Sequence, residues 1–170
     1  MGVMNITPDS FSDGGNFYQQ NHVLLDRVVA EAEQMLAEGA RILDVGGESS
    51  RPGATPVGYT EEIRRVIPVI EALIKLDGLV SVDTYHVETA RAAVAAGAHI
   101  INDISGCSDP AMQELAADTG VGVCLMHMQG SPQTMQNNPN YADVVEEVAD
   151  RLALRIQSCV AKGLAPEQIA

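Results

Sequence analysis

Basic residues are scarce in this sequence. The 170 residues include 10 Lys and Arg against 23 Asp and Glu, which gives a formal net charge of -13. A protein this acidic repels polyphosphates unless its few basic residues cluster, so nucleic acid is not an expected partner. No apolar run approaches the roughly 20 residues of a transmembrane helix, and the first residues lack the basic start of a secretion signal. These absences predict a cytoplasmic protein with no membrane segment.

Cysteine is also scarce, and its three positions fit neither a structural zinc site nor a disulfide framework. Cys107, Cys124 and Cys159 are odd in number and lie 17 and 35 residues apart. Such cysteines favour a reducing compartment. The remaining composition, 46% hydrophobic and 19% charged, is typical of a globular protein. A chain of this length can form one core, so residues 1–170 are interpreted as a single domain.

Apolar runs and helical spacing alternate along the chain. Each of five short runs rich in Val, Ile and Leu predicts a strand buried on both faces of a parallel sheet. The segments between them carry apolar residues at helical spacing, and each stripe predicts a helix with one face against the sheet. The last stripe comprises Val145, Val148, Leu152, Ile156 and Val160, and the predicted strands are Val3–Ile6, Arg41–Val45, Leu79–Val82, His99–Ile104 and Val121–Met126.

The connecting segments favour a barrel over an open sheet. A glycine follows each helical stretch, where a left-handed conformation can end the helix. The segments after the strands are long and polar, as in a barrel whose site lies at the carboxyl ends of its strands. No Gly-x-Gly-x-x-Gly motif supports a dinucleotide-binding sheet. The predicted fold class is α/β, a (β/α)8 TIM barrel present as about its first five βα units. The glycines are Gly39, Gly78, Gly97, Gly120 and Gly163, and the loops are Thr7–Asn21, Gly46–Tyr59 and Met128–Asn140.

Polar residues end the predicted strands. A single Asp or Asn at such a position is more often a helix cap or a turn residue. Five strands side by side, however, bring these residues together over one end of a barrel. Carboxylates and carboxamides there suit a planar ligand that carries N–H donors. The residues are Asn5, Asp44, Asp83, Asn102 with Asp103, and His127.

Arg51 is one of the few cations and lies in a long loop beside Ser50 and Gly53. It can bind an anion through charge-assisted hydrogen bonds, or it can pair with a nearby glutamate at the surface. No Ser-His-Asp order and no Cys-His pair indicates a covalent nucleophile. The residues alone therefore predict a barrel enzyme that acts on a small, polar and anionic ligand.

Five motifs resemble the signatures of the dihydropteroate synthase family and follow in that family's order. Gly2–Gly15 resembles the opening signature, and Asp44–Ala54 resembles the second. The resemblance covers essentially the whole chain. The other three motifs are Val82–Tyr85, Ile101–Gly106 and Met126–Gly130.

The resemblance implies a pterin-binding (β/α)8 barrel that acts as a transferase in folate biosynthesis. The family condenses 6-hydroxymethyl-7,8-dihydropterin diphosphate with 4-aminobenzoate to give 7,8-dihydropteroate and pyrophosphate. It implies Mg²⁺ as the cofactor, these two small molecules as partners, and a homodimer as the expected assembly.

The resemblance also implies roles for individual residues. Asp83 and Asn102 would bind the pterin ring, and Asn5 would belong to the Mg²⁺ and diphosphate site. Arg51 would meet the diphosphate or the benzoate, together with Ser50, which stands where the family usually has Thr but keeps the hydroxyl. Ile104 and Met126 would line the faces of the ring, and the residues of the two loops that close over 4-aminobenzoate would be Asp9, Ser10, Phe11 and Pro52.

Two alternatives stay open. One is the pterin domain of a methyltetrahydrofolate methyltransferase, which shares the polar strand ends but against which the motifs in Gly2–Gly15 and Asp44–Ala54 argue. The other is a non-catalytic pterin-binding or assembly subunit. The motifs of the family's last three βα units do not occur in these residues, so we expect a barrel cut before strand six that is poorly active alone.

Overall fold

The computed structural model describes residues 1–7, 17–19, 22–49, 57–131 and 134–170. Strands and helices alternate through most of this part of the chain. The strands are β1 (Gly2–Asn5), β2 (Tyr18–Gln19), β3 (His22–Val23), β4 (Ile42–Gly46), β5 (Leu79–Asp83), β6 (Ile100–Asp103) and β7 (Gly122–Leu125). The helices are α1 (Leu25–Ala37), α2 (Tyr59–Leu73), α3 (Val87–Ala95), α4 (Pro110–Thr119) and α5 (Val144–Ala161), followed by a 3₁₀ turn at Pro166–Gln168.

Five strands form one parallel sheet in the order β1-β4-β5-β6-β7. Each strand therefore pairs with the next long strand along the chain, with a helix between them, as in consecutive units of a barrel. The five predicted strands and the predicted fold class are confirmed, and the strand ends differ by at most one residue. The prediction that both faces of the strands are buried is wrong, since Val3 is 48% exposed and Leu79 is 44% exposed. After α5 the chain returns to the edge of β7, where Ile169 bridges Val123 in parallel.

The two faces of the sheet have different chemistry. On the helix side, Met4, Leu43, Val80 and Ile101 are fully buried in one core with residues of the helices. Successive side chains of a strand point to opposite faces. The residues next to these core positions therefore face the other side, which we call the inner face. It carries the polar residues Asn5, Asp44, Ser81, Asp83 and Asn102.

Part of the first predicted loop has regular structure. β2 and β3 pair as a two-stranded antiparallel sheet with Tyr18 opposite Val23. Phe17, just before β2, is buried in the core and its carbonyl accepts a hydrogen bond from the Leu24 N–H. Strands of two residues are too short for an alternating pattern, so the sequence did not indicate them.

The predicted burial of the α5 stripe is wrong. Val145 is 74% exposed, Ile156 is 40% exposed and Val160 is 41% exposed, while Cys159 is buried. α5 contacts α4 through a different side, where Ser158 lies within hydrogen-bonding distance of Gln113. A helical stripe predicts an apolar face but does not say whether another element covers it.

Four of the five predicted helix-ending glycines have the left-handed conformation, and Gly78 does not. Gly120 shows the expected geometry at φ +72°, and its N–H donates to the Ala116 carbonyl at the end of α4. At Gly78 the requirement is space, because a Cβ there would lie 2.8 Å from Leu36 Cδ2. Among the described helices none is long and apolar enough to cross a membrane.

Candidate active site

The sheet register aligns five residues at the carboxyl ends of the strands. Asn5 pairs with Gly46, Gly46 with Asp83, Asp83 with Asn102, and Asn102 with Cys124. A Cβ on Gly46 would lie 3.8 Å from Asn5 Oδ1 and 3.5 Å from Asp83 Oδ2. Glycine therefore leaves a gap between an amide and a carboxylate that both face it.

Asp83 places a carboxyl group in this row. None of the described residues donates a hydrogen bond to it. Burial raises its pKa to about 7, and the negative charges of Asp44, Glu62, Asp103 and Glu48 add to the rise. A ligand that offers N–H groups would supply the hydrogen bonds that the protein does not, and would favour the ionised carboxylate.

The Asn102 side chain has one hydrogen-bond partner among the described residues. Its Nδ2 donates to Asp44 Oδ2 at 3.0 Å, across from β6 to β4. Asp44 is 3% exposed, yet its Oδ1 has no partner among the described residues. The Ser81 hydroxyl, which neighbours Asp44 in the sheet register, is also buried without a described partner.

Two other polar residues predicted at strand ends have local partners. Asp103 accepts hydrogen bonds from the N–H groups of Ser105 at 2.7 Å and Cys107 at 3.1 Å, so it shapes the turn after β6. His127 Nε2 lies 3.0 Å from the Tyr141 hydroxyl. The contacts of Asp103 and His127 are therefore with neighbouring loop residues.

The residues expected to line the ring lie at neighbouring strand ends. Ile104, directly after β6, is 9% exposed, and Met126, directly after β7, is 37% exposed. Met126 and His127 border a cavity of about 440 Å³ that also contacts Ser105, Met128, Arg151 and Arg155. Ile104 and Met126 thus follow the strands that carry Asn102 and Cys124, but none of the residues of the row lines this cavity.

The sequence missed a carboxylate that joins two loops next to the site. Glu48, after β4, accepts a hydrogen bond from the Tyr85 hydroxyl at 2.7 Å and another from the Val57 N–H at 3.0 Å. Burial and this contact with a carboxylate raise the pKa of Tyr85. The contact holds the loop after β5 against the loop after β4.

A second missed carboxylate lies behind the site. Glu62 of α2 is 1% exposed, and its Oε2 accepts hydrogen bonds from Thr84 at 3.0 Å and Thr89 at 2.6 Å. His86 Nδ1 lies 2.9 Å from the same oxygen. Since Thr84 directly follows Asp83, these bonds fix the end of β5. The signal in the sequence was a glutamate within the apolar stripe of α2.

Six of the predicted site residues lie outside the described part of the chain. The structure therefore neither joins them to the row at the strand ends nor separates them from it. They are Asp9, Ser10, Phe11, Ser50, Arg51 and Pro52.

Comparison with known families decides the relationship of the chain. The sequence profile of the pterin binding enzymes matches residues 1–170. The chain belongs to this family. Dihydropteroate synthase of Escherichia coli K12 is 49% identical over 170 residues, which cover 99% of this chain and 58% of that protein. The corresponding synthase of Haemophilus influenzae is 44% identical, with 99% and 60% covered.

Solved structures agree with this assignment. Dihydropteroate synthase of Yersinia pestis in complex with a sulfonamide drug matches with a TM-score of 0.90 and 45% identity, over 99% of this chain and 60% of that one. Burkholderia cenocepacia dihydropteroate synthase complexed with 7,8-dihydropteroate matches with a TM-score of 0.84 and 46% identity, over 99% and 55%. The chain thus spans less than two thirds of the length of these relatives.

Proposed function

We propose that this protein is a dihydropteroate synthase. It would join 6-hydroxymethyl-7,8-dihydropterin diphosphate to 4-aminobenzoate and release pyrophosphate. The observation that carries the proposal is the row of Asn5, Asp83 and Asn102 at the ends of neighbouring strands, in a family that binds pterins. The Burkholderia relative bound to 7,8-dihydropteroate supports the same chemistry.

Recognition of the pterin would depend on acceptor groups that have no hydrogen-bond donor among the described residues. Asp83 and the Asn102 Oδ1 accept no hydrogen bond from a described residue, and a pterin carries N–H donors on one edge of its ring. A heterocycle without those donors would leave these half-buried acceptors unpaired, which weakens binding. Ile104 and Met126 would contact the ring faces.

The proposed Mg²⁺ site fits the residues that are present. Asn5 contributes a carboxamide oxygen with no described partner, beside Gly46 and the Asp83 carboxylate. In the described part of the chain, no group of three or more His, Cys, Asp or Glu residues is placed to hold a metal. Mg²⁺ needs no such group, since it keeps several waters and shares phosphate oxygens. When bound at Asn5, it would neutralise charge on the diphosphate.

The proposed reaction requires the protein to hold and orient its two substrates. The bond from the exocyclic carbon of the pterin to the diphosphate oxygen breaks, and the amine of 4-aminobenzoate forms a C–N bond there and loses a proton. Asp83 and Asn102 would hold the ring while this carbon becomes electron-poor. No protein nucleophile is needed, in agreement with the sequence.

The homodimer remains a proposal that rests on the family resemblance, and the cytoplasmic location remains one that rests on the composition and the cysteines of the sequence. The mass of the protein in solution tests the first. Cell fractionation tests the second.

The proposed activity is tested by two proteins studied together. One is the 170-residue chain, and the other is the Escherichia coli relative with its matching 170 residues replaced by these. Each is given the pterin diphosphate, 4-aminobenzoate and Mg²⁺, and dihydropteroate is measured. We expect the hybrid to form dihydropteroate. In its Asp83→Ala variant, kcat/KM should fall at least about 100-fold.

The Asp77→Asn variant of the hybrid is a matched control, because Asp77 is an exposed aspartate before β5. Its kcat/KM should equal that of the parent hybrid. A hybrid that folds, binds no pterin and forms no product would contradict the proposed function. Turnover that survives Asp83→Ala would show that the reaction does not use the row of strand-end residues.

A further inference from the structure

Asp44 lies on the inner face of β4, two residues before Gly46, which pairs with Asp83 in the row at the strand ends. In the register it pairs with Ser81, whereas Asp83 pairs with Asn102. It is almost completely buried and accepts a hydrogen bond from Asn102 Nδ2 at 3.0 Å. Family resemblance assigned it no role, and its helix-side neighbours Leu43 and Val45 already supply the core packing of β4.

This contact fixes the direction of the Asn102 carboxamide. If the amide turned over, its Oδ1 would face Asp44 Oδ2, and two acceptors would meet at hydrogen-bonding distance with no proton between them. The observed arrangement avoids this repulsion. Asn102 Oδ1 is consequently turned away from Asp44, and it has no partner among the described residues.

The two side chains then offer the same kind of group to a ligand. Asp83 presents a carboxylate and Asn102 presents a carbonyl oxygen from paired positions on neighbouring strands. Adjacent acceptors of this kind complement an edge with two adjacent N–H donors. They reject an edge that places a lone pair opposite either oxygen, while the second Nδ2 hydrogen of Asn102 can still donate to a ring acceptor beside them.

We propose that Asp44 is a specificity-determining residue, which orients the Asn102 amide so that the site selects a heterocycle edge with two N–H donors. Asp44 acts through Asn102 and is therefore a positioning residue. This inference rests on the proposed pterin-binding function, because it uses Asp83 and Asn102 as the ligand-binding pair.

Unpaired polar atoms beneath the row support a role in binding. Asp44 Oδ1 and Ser81 Oγ are both buried without a partner among the described residues. Such atoms destabilise a folded protein unless a ligand or an ordered water bonds to them. A residue selected only for packing at this position would be expected to be apolar.

The Asp44→Asn variant separates two possible effects of Asp44, that of its negative charge on Asp83 and that of its hydrogen bond on the orientation of Asn102. The two effects predict opposite changes in binding. The negative charge of Asp44 helps to raise the pKa of Asp83, along with Glu62, Asp103 and Glu48. If charge alone mattered, the variant would ionise Asp83 more fully and would bind N–H donors more tightly at neutral pH. If orientation matters, the new amide lets Asn102 turn over and binding weakens.

The test measures binding of 6-hydroxymethylpterin by calorimetry and the Asn102 side-chain amide by ¹⁵N NMR in the 170-residue chain. We expect Asp44→Asn to weaken binding at least about 10-fold, while Asp77→Asn changes it less than about 2-fold. In the wild type, the Asn102 Nδ2 protons should exchange slowly both without ligand and with pterin bound. In the variant they should shift and exchange faster.

The outcomes separate this inference from the proposed function. Equal or tighter binding by a folded Asp44→Asn variant would overturn the role of Asp44. So would an Asn102 amide in the wild type that exchanges as fast as an exposed one, a result that needs no variant to fold. A protected amide in a chain that binds no pterin would instead refute the pterin function and leave the orientation intact.

Discussion

Glu62 and Asp83 are carboxylates at the same end of the sheet, but they face opposite sides of it. Glu62, on the helix side, meets two hydroxyl groups and a histidine nitrogen. Asp83, on the inner face, meets none of the described donors, and its pKa is raised to about 7. A carboxylate whose hydrogen bonds come from the protein stabilises the fold, and one left without them is available to a ligand.

The largest expected effect is on the folded state and comes from Glu62. Glu62→Gln keeps the size of the side chain but replaces the charged acceptor of the Thr84 and Thr89 hydroxyls with a neutral one. We expect the free energy of unfolding to fall by about 3 kcal/mol, measured by chemical denaturation. Glu71→Gln, an exposed change on the same helix, should alter it by less than about 0.5 kcal/mol. Equal stabilities of the two variants would break the contrast between the two faces.

Asp83→Ala should weaken ligand binding without loss of stability, in contrast to Glu62→Gln. Affinity for 6-hydroxymethylpterin should drop about 30-fold or more, because the ring loses a charged acceptor. The melting temperature should not fall, since the variant also removes a half-buried carboxylate with no described hydrogen bond. Calorimetry and thermal melting test both parts, and unchanged affinity would contradict the inner-face assignment.

The pH dependence of the free energy of unfolding measures the contribution of Asp83 to stability. The folded-state pKa of Asp83, about 7, lies above the value of about 4 expected for an unfolded chain. The folded state therefore binds more protons between these values, and this residue's contribution makes the free energy of unfolding fall as pH rises from about 4 to about 7. Asp83→Asn should remove that contribution, so its stability relative to wild type should increase over this interval in denaturation experiments.

Tyr85→Phe should have the smallest effect. It removes the hydroxyl that donates to Glu48 and keeps the ring, so the expected loss is about 1 kcal/mol in free energy of unfolding. Tyr59→Phe, at an exposed position, is the matched control. A loss above about 3 kcal/mol would show that the loop contact stabilises more of the fold than one hydrogen bond.

The strands and the row at their ends were predictable from sequence because both depend on local patterns. Short runs rich in Val, Ile and Leu indicate the strands, and parallel pairing then aligns the polar residues at their ends. Partners across long sequence separations were not predictable. The Asn102 bond to Asp44 joins residues 58 positions apart, and Thr89 reaches Glu62 over 27. Nor does the stripe on α5 reveal that Val145 stays exposed.

The most direct test of the central claim is the titration of the Asp83 carboxyl carbon by ¹³C NMR, with and without saturating 6-hydroxymethylpterin. We expect a pKa near 7 in the free protein, and a clear decrease when the ring donates hydrogen bonds to the ionised group. Assignment comes from the signal lost in Asp83→Asn. A titration curve that stays the same under saturating pterin would contradict the claim that the inner face of this sheet binds the ring through Asp83.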